Sequence, residues 1–326
     1  MLEKKNNRIR AYYIGEKKLI TLMMKMDADI VCMTMPDLDN YHIKRSYLRK
    51  DIEYIFIPHG LGSMNLVMRK GCVDNFDTVF CAIETHKREI LKTEEVYNLH
   101  HKNLIEVGYP LIDNMIADYN KNYIRCTKPE KKKIVIAPSW QKDNIIETCI
   151  EELLDIILDD RFEIIVRPHP QMVRHNSEFF EILKEKYEEK GIIIQTDFSM
   201  HNSIMEADLL ITDWSGAGYE YAYTTLKPVL FINTPMKVMN PEYKKIGIEP
   251  IDCSIRKRIG RSLDLNELRY SKDVALELIN ESEKYKKVIS EVIEEEIYNV
   301  GKSAEVGALY IANQIKQKAQ RRSQKL

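Results

Sequence analysis

Glycine and proline are scarce in this chain, 12 and 11 of 326 residues, which excludes collagen-like and low-complexity architectures. An excess of charge is missing too. Lys and Arg number 49 against 50 Asp and Glu, which excludes a protein whose main task is coating nucleic acid but leaves room for a local basic patch. No run approaches the roughly 18 apolar residues that span a bilayer, and Met1 to Arg10 is charged where a secretory signal needs an apolar segment. The six cysteines, Cys32, Cys72, Cys81, Cys126, Cys149 and Cys253, contain no CxxC pair, which argues against a zinc ribbon or a disulfide framework and for a reduced compartment. The expectation is a cytoplasmic protein, soluble or peripheral on the inner face of the membrane.

Hydrophobic residues make up 44% of the chain and charged ones 30%, enough to bury a substantial core, and the length suggests two domains. Short Ile- and Val-rich runs alternate with longer charged segments of helical period, the mark of parallel sheets covered by helices. The fold class is therefore α/β. In the first half the expected strands are Ile9 to Ile14, Ile30 to Met33, Tyr54 to Ile57, Thr78 to Ala82 and Leu104 to Val107. A hydrophilic stretch from Asp118 to Lys133 reads as a linker. Beyond it, strands are expected at Lys133 to Ala137, Glu163 to Arg167, Gly191 to Gln195, Leu209 to Thr212 and Pro228 to Asn233. Helices are expected at Asn144 to Leu158, Glu178 to Lys190, Tyr219 to Thr225 and through most of Ser271 to Lys325.

Three motifs follow directly on expected strands. In Ile57-Pro58-His59-Gly60, a histidine beside glycines can approach a substrate closely and exchange a proton near neutral pH; a histidine bonded within a turn fits the same residues. In Arg167-Pro168-His169-Pro170, the guanidinium suits phosphate oxygens and the prolines fix the backbone around both cationic heads. In Thr212-Asp213-Trp214-Ser215-Gly216, small and hydroxyl residues open a helix whose first N–H groups favour a phosphate, and Glu220 on the first turn is placed for ribose hydroxyls. An ordinary N-cap by Asp213 or Ser215 is the alternative. Asp37 and Asp39 form an acidic pair after another strand, read as a turn able to touch an acceptor, since no further carboxylates are at hand to complete a hard-cation shell. Arg256, Lys257, Arg258 and Arg261 form one basic patch. Lys316, Lys318, Arg321, Arg322 and Lys325 form a basic tail suited to an anionic membrane surface.

Taken in order, IPHG at Ile57 to Gly60, GYP at Gly108 to Pro110 with Asp113 after it, APSW at Ala137 to Trp140, RPHP at Arg167 to Pro170, TDWSG at Thr212 to Gly216 and KPVLF at Lys227 to Phe231 resemble the CDP-glycerol glycerophosphotransferase family. The resemblance covers roughly residues 50–260. It implies a GT-B architecture: an acceptor-binding Rossmann-like domain at 1–125, a donor-binding one at 126–300, and a C-terminal helix and tail at 301–326. It also implies a peripheral membrane enzyme with no cofactor and no tightly held metal, taking CDP-glycerol or CDP-ribitol as donor and a teichoic-acid-like or capsular polymer as acceptor. Motif by motif, His59 would be the base and His169 with Arg167 would serve the donor phosphates. Thr212, Asp213, Ser215, Gly216 and Glu220 would line the donor site, and Gly60, Asp37 and Asp39 the acceptor site. The two imidazoles are expected to face each other across the cleft. Two departures stand out: Gly216 replaces a serine present in many members, and the first domain starts later than is typical. A sugar-nucleotide glycosyltransferase of the same fold is the alternative; an epimerase and a non-catalytic partner in polymer assembly are further ones.

Overall fold

The computed structural model describes residues 8–123, 130–197 and 203–324. Its first half is a four-stranded parallel sheet in simple sequence order, β1 (Ile30–Met33), β2 (Glu53–Phe56), β3 (Thr78–Cys81) and β4 (Asn103–Glu106). The two central strands are buried throughout while β1 and β4 are partly exposed. That difference follows from parallel pairing, which buries inner strands on both faces and leaves only edges amphipathic.

The second half is a six-stranded parallel sheet built from β5 (Lys132–Ile136), β6 (Phe162–Val166), β7 (Ile192–Ile194), β8 (Leu209–Thr212), β9 (Val229–Asn233) and β10 (Gly260–Asp264). The spatial order is β10-β9-β8-β5-β6-β7. The chain starts in the middle, builds outward to β7, then returns to pair β8 against β5 and builds the other way. The strand order thus reverses between β5 and β8, and helices running off in opposite directions from those two strands open a crevice at their carboxyl ends. One apolar cluster fills each face of this sheet: Ile134, Ile136 and Ile164 belong to one, Val135, Ile165 and Leu210 to the other. The alternation along β5 accounts for the split.

The last helix, Ser303–Ser323, returns to the first sheet. Tyr310 meets Phe80 edge to face at 5.6 Å and donates to Glu53 Oε1 at 2.7 Å. Gly307 lets the helix approach Phe80 and Val107 closely. Asp113 accepts from the N–H groups of Gly301 and Ser303 just before and at the helix start, at 2.7 and 2.9 Å.

Three expectations need correction. Ile9 to Ile14 forms no strand, and Tyr12 and Tyr13 are 74% and 99% exposed; an apolar run becomes a strand only where a sheet edge accepts it, and among the described residues this segment joins neither sheet. The supposed linker is shorter, because the helix Pro110–Asn122 runs through its first part and Lys132 already lies in β5; the segment 124–129 lies outside the described residues. Strand β10 was missed. Its sequence, GRSLD, carries one leucine among polar residues, so nothing in its pattern announced an edge strand.

Gly108, in the GYP motif, adopts φ +93°, and a Cβ there would sit 2.1 Å from the Tyr298 carbonyl oxygen. Gly191 has φ +78° with open space around it. Gly191→Ala is expected to cost only the left-handed backbone penalty, about 1–2 kcal/mol. Gly108→Ala adds the clash with the returning C-terminal segment and is expected to cost about 3 kcal/mol or more. Urea unfolding of the two variants measures the difference, and equal losses would show that the close approach is not what fixes this glycine.

Candidate functional site

The site is built at the strand-order reversal. Thr212, the last residue of β8, donates through Oγ1 to the Ala137 carbonyl at 2.6 Å, tying the end of β8 to the end of β5. The next residue, Asp213, is fully buried, and its carboxylate accepts from Ser139 N at 2.8 Å and Ile145 N at 3.1 Å. A buried carboxylate is tolerable only when such donors replace its water. The side chains of Thr212 and Asp213 are therefore spent on holding the APSW loop, and they shape the turn from beneath instead of lining it.

The turn itself is held from the other side by Arg256. Its guanidinium lies 3.5 Å over the Trp214 ring and 4.7 Å from the Phe231 ring centroid, and donates to the Asp213 carbonyl at 2.5 Å and Asn233 Oδ1 at 2.9 Å. The basic patch therefore dissolves on folding. Arg256 is buried, Arg258 pairs with Glu295 at 2.6 Å and Arg261 pairs with Glu277. Past Trp214, Ser215 Oγ accepts from Ala217 N, the first residue of the helix Ala217–Thr225, at 3.3 Å. Gly216 is exposed on the rim, and the N–H groups of Ser215 and Gly216 take no acceptor among the described residues. These are the donors the turn offers to an anion.

The RPHP segment leaves β6, the neighbour of β5. Arg167 is half-buried, bonds Ser203 Oγ at 3.2 Å, and is held below its usual pKa by desolvation. His169 caps the helix Pro170–His175, its Nδ1 accepting from Gln171 N at 3.2 Å, so the neutral ring carries its proton on Nε2. Partial burial holds its pKa below the usual histidine value. The ring stacks on Trp140 with centroids 5.7 Å apart and planes at 24°. Trp140, 58% exposed, fixes the ring plane of His169 from the β5 loop. Neither Trp140 nor Arg256 was singled out individually from sequence; an exposed tryptophan just after a strand was the available signal for the first, while the second was hidden in an ordinary charge run.

His59 is exposed on the loop after β2, with Gly60 half-buried beside it. Three buried groups hold that loop. His86 bonds the Gly62 carbonyl at 2.9 Å through Nε2, and burial pushes its pKa down to about 4. Glu89 accepts from Ser63 Oγ at 2.5 Å and Asn65 N at 3.1 Å, with burial pushing its pKa up to about 7. Asp252, from the second half of the chain, accepts from Ser63 N at 2.7 Å and from the Tyr219 hydroxyl at 3.1 Å. Tyr219 stands on the helix that follows the TDWSG turn, so one carboxylate joins the IPHG loop to that helix. Asn65 and Asn240 add a second link at 3.0 Å, and Lys70 and Glu242 a third at 2.8 Å.

Asp37 and Asp39 lie on the loop after β1, both with positive φ, 68° and 62°. Asp37 pairs with Arg69 at 3.4 Å and Asp39 with Arg45 at 3.5 Å, the turn arrangement expected of them. Asp37 also borders a cavity of about 830 Å³ with Met35, Tyr41 and His42. Among the described residues no three His, Cys, Asp or Glu side chains are grouped to hold a metal ion. Glu220 is half-buried near Tyr109 of the GYP motif, and desolvation pushes its pKa up to about 7.

Two parallel sheets, the second with a strand-order reversal, define a GT-B type α/β protein. The wall teichoic acid polymerase TagF, in a histidine-to-alanine form, superposes with a TM-score of 0.55 at 16% identity, covering 89% of this chain and 74% of that one. A TagF structure with CDPG superposes at 0.50, also at 16% identity, covering 85% and 70%. The teichoic acid glycerol-phosphate primase of Bacillus subtilis (strain 168) is 26% identical over 255 residues, which is 71% of this chain and 63% of the primase, so the chain spans less than two thirds of that relative. The sequence profile of the CDP-glycerol:poly(glycerophosphate) glycerophosphotransferase family matches residues 63–239, more than half of the chain, and the chain belongs to that family. The matched region takes in APSW, RPHP and TDWSG and begins just after His59.

Because burial raises the folded-state pKa of Glu220, the residue disfavours folding wherever the unfolded chain has already ionised it. The loss develops as pH rises from about 4.5 to about 7 and is constant above. Glu220→Gln is expected to stabilise the protein at pH 8, with a gain that shrinks to nothing by pH 4. Thermal unfolding across that range checks it; a gain independent of pH would refute the desolvation argument.

Proposed function

We propose that this chain transfers a polyol-phosphate unit from CDP-glycerol, or a close analogue, to a hydroxyl of a teichoic-acid-like acceptor and releases CMP. The observation that supports the reading is that Trp140, the His169 stacked on it, Arg167 and the Ser215–Gly216 turn all follow the carboxyl ends of the adjacent strands β5, β6 and β8, with the His59 loop bonded through Asp252 to the helix after that turn. Family membership and the primase likeness support the donor class, and so does the CDPG named with TagF.

In this reading the acceptor oxygen attacks the β-phosphorus of the donor. The bond from that phosphorus to the oxygen of the CMP phosphate breaks, and His59 takes the hydroxyl proton. An alcohol is a poor nucleophile at neutral pH, and a positioned base contributes typically about 10²- to 10⁴-fold. Charge grows on the leaving phosphate as the bond stretches. The Nε2–H of His169, the guanidinium of Arg167 and the turn N–H groups are of the kind that stabilises it, and they are fixed before the reaction begins. A neutral His169 donates a hydrogen bond without competing for the acceptor proton.

Calorimetry with CDP-glycerol, CDP-ribitol and a panel of UDP-sugars, combined with assay of the nucleotide released, separates this reading from a sugar transferase. We expect CDP-polyol binding and CMP release. His59→Ala should lower turnover at least a hundredfold with donor affinity within about threefold, whereas His169→Ala should weaken both; binding of UDP-sugars alone would overturn the proposal.

A membrane-facing role for the C-terminal tail belongs to the same reading, on reduced terms. Lys318 bonds the Asp51 carbonyl and Arg322 pairs with Asp29 and Asp51. Lys325 lies outside the described residues. Two of the five tail charges are thus engaged within the molecule, leaving Lys316 and Arg321 as described contributors at about 1 kcal/mol each. Lys316→Glu with Arg321→Glu is expected to reduce low-salt sedimentation with anionic vesicles; unchanged sedimentation would assign the tail to packing alone.

A further inference from the structure

The geometry points to Asp252 as the positioning residue that registers the His59 loop against the phosphate-binding turn. The role assigned to it rests on the reading of His59 as base. Three observations carry it. First, the carboxylate is 4% exposed and divides its two oxygens between the two halves of the molecule, Oδ2 taking the Ser63 N–H from the loop after β2 and Oδ1 the Tyr219 hydroxyl from the helix after β8. Second, the loop passes so close that a Cβ on Gly62 would lie 2.9 Å from Asp252 Oδ1. Third, His86 and Glu89 belong to the first half and fix the loop's shape, Asn240 and Tyr243 hold Asn65 further along the chain, and Asp252 bonds the loop to the helix that follows the TDWSG turn.

The consequence is mechanical. A base is effective only within hydrogen-bond reach of its proton, and displacement by about 1 Å can cost on the order of 10²-fold. The Asp252 bond holds the Ser63 end of the histidine loop to the second half, so in any relative movement of the two sheets the loop stays with the turn. Desolvating a carboxylate is costly, and two good donors make the site tolerable without making it stabilising. Its arrangement therefore bears on placement more than on stability.

Ser63 allows the bond to be removed by itself. Its φ of −57° is one that proline adopts, and proline has no N–H to give Asp252. Ser63→Ala keeps that N–H and loses the hydroxyl's bond to Glu89 and its cap on Leu66 N; the proline variant loses both of these as well, so the difference between Ser63→Pro and Ser63→Ala isolates the contact. Hydrogen exchange of the full chain is expected to show at least tenfold faster exchange at Gly60, Leu61 and Gly62 in the proline variant than in the alanine variant, with the amides of β5 and β8 unchanged. Turnover should fall at least tenfold between the two at constant donor affinity. Asp252→Ala, which leaves neither Ser63 N nor the Tyr219 hydroxyl an acceptor, should behave like the proline variant and serves if that variant fails to fold. Equal loop exchange in both serine variants would overturn the assignment, as would faster exchange spread through both sheets, which is the signature of a purely structural contact. If the wild-type chain binds no CDP-glycerol, the functional reading fails, and the exchange measurement still decides whether Asp252 holds the loop.

Discussion

A carboxylate with no exposed surface organises the second half of this protein. Asp213 directly follows the strand next to β5, and its two oxygens hold the backbone of the β5 loop while its own carbonyl receives the Arg256 guanidinium. Remove the carboxylate and the buried N–H groups of Ser139 and Ile145 lose their acceptor, a penalty of about 1–3 kcal/mol for each unsatisfied group. The crevice at the strand-order reversal exists because helices diverge there, but its floor is fixed because this one group satisfies both sides. Trp140 then stands where it can stack on His169, and the turn at Ser215 and Gly216 keeps its backbone donors aimed outward from a rigid base.

The same principle repeats between the two halves with a second buried acid. Asp252 is to the interlobe contact what Asp213 is to the crevice floor: a desolvated acceptor that makes sense only when both donors are present. Around it Glu89 and His86 are buried too, the first pushed up to about 7 and the second down to about 4, each toward its neutral form. A polar network of this kind binds a loop to a specific place more firmly than apolar packing does, because hydrogen bonds are directional and burial makes each one costly to leave unmade.

Much of the scaffold was legible in the sequence. The inner strand Leu209–Thr212 was readable to the residue, and the other inner strands to within one or two, because a strand buried on both faces must be a continuous apolar run. Edges were less legible. GRSLD pairs with β9 through its backbone and needs little side-chain hydrophobicity, whereas Ile9 to Ile14 has the side chains of a strand but joins neither sheet among the described residues. Charge runs misled for a related reason. Arg256, Lys257, Arg258 and Arg261 look alike on paper, but one helical turn carries Arg256 inward onto Trp214 and Arg258 to a glutamate 37 residues downstream, while Arg261 already lies in β10 and pairs with a glutamate 16 residues downstream.

By itself the sequence determined the class of architecture, the strand ends at which chemistry could sit, and the residue types gathered there, since these follow from local periodicity and from glycine and proline punctuation. It left Thr212 and Asp213 indistinguishable from ligand-binding residues, and it gave no sign that Ser63, Tyr219 and Asp252 meet. Only the tertiary structure decided which polar side chains face inward and which face the crevice. A hydrogen bond depends on distance and direction in space, and the partners that satisfy Asp213 and Asp252 lie between 33 and 189 residues away along the chain.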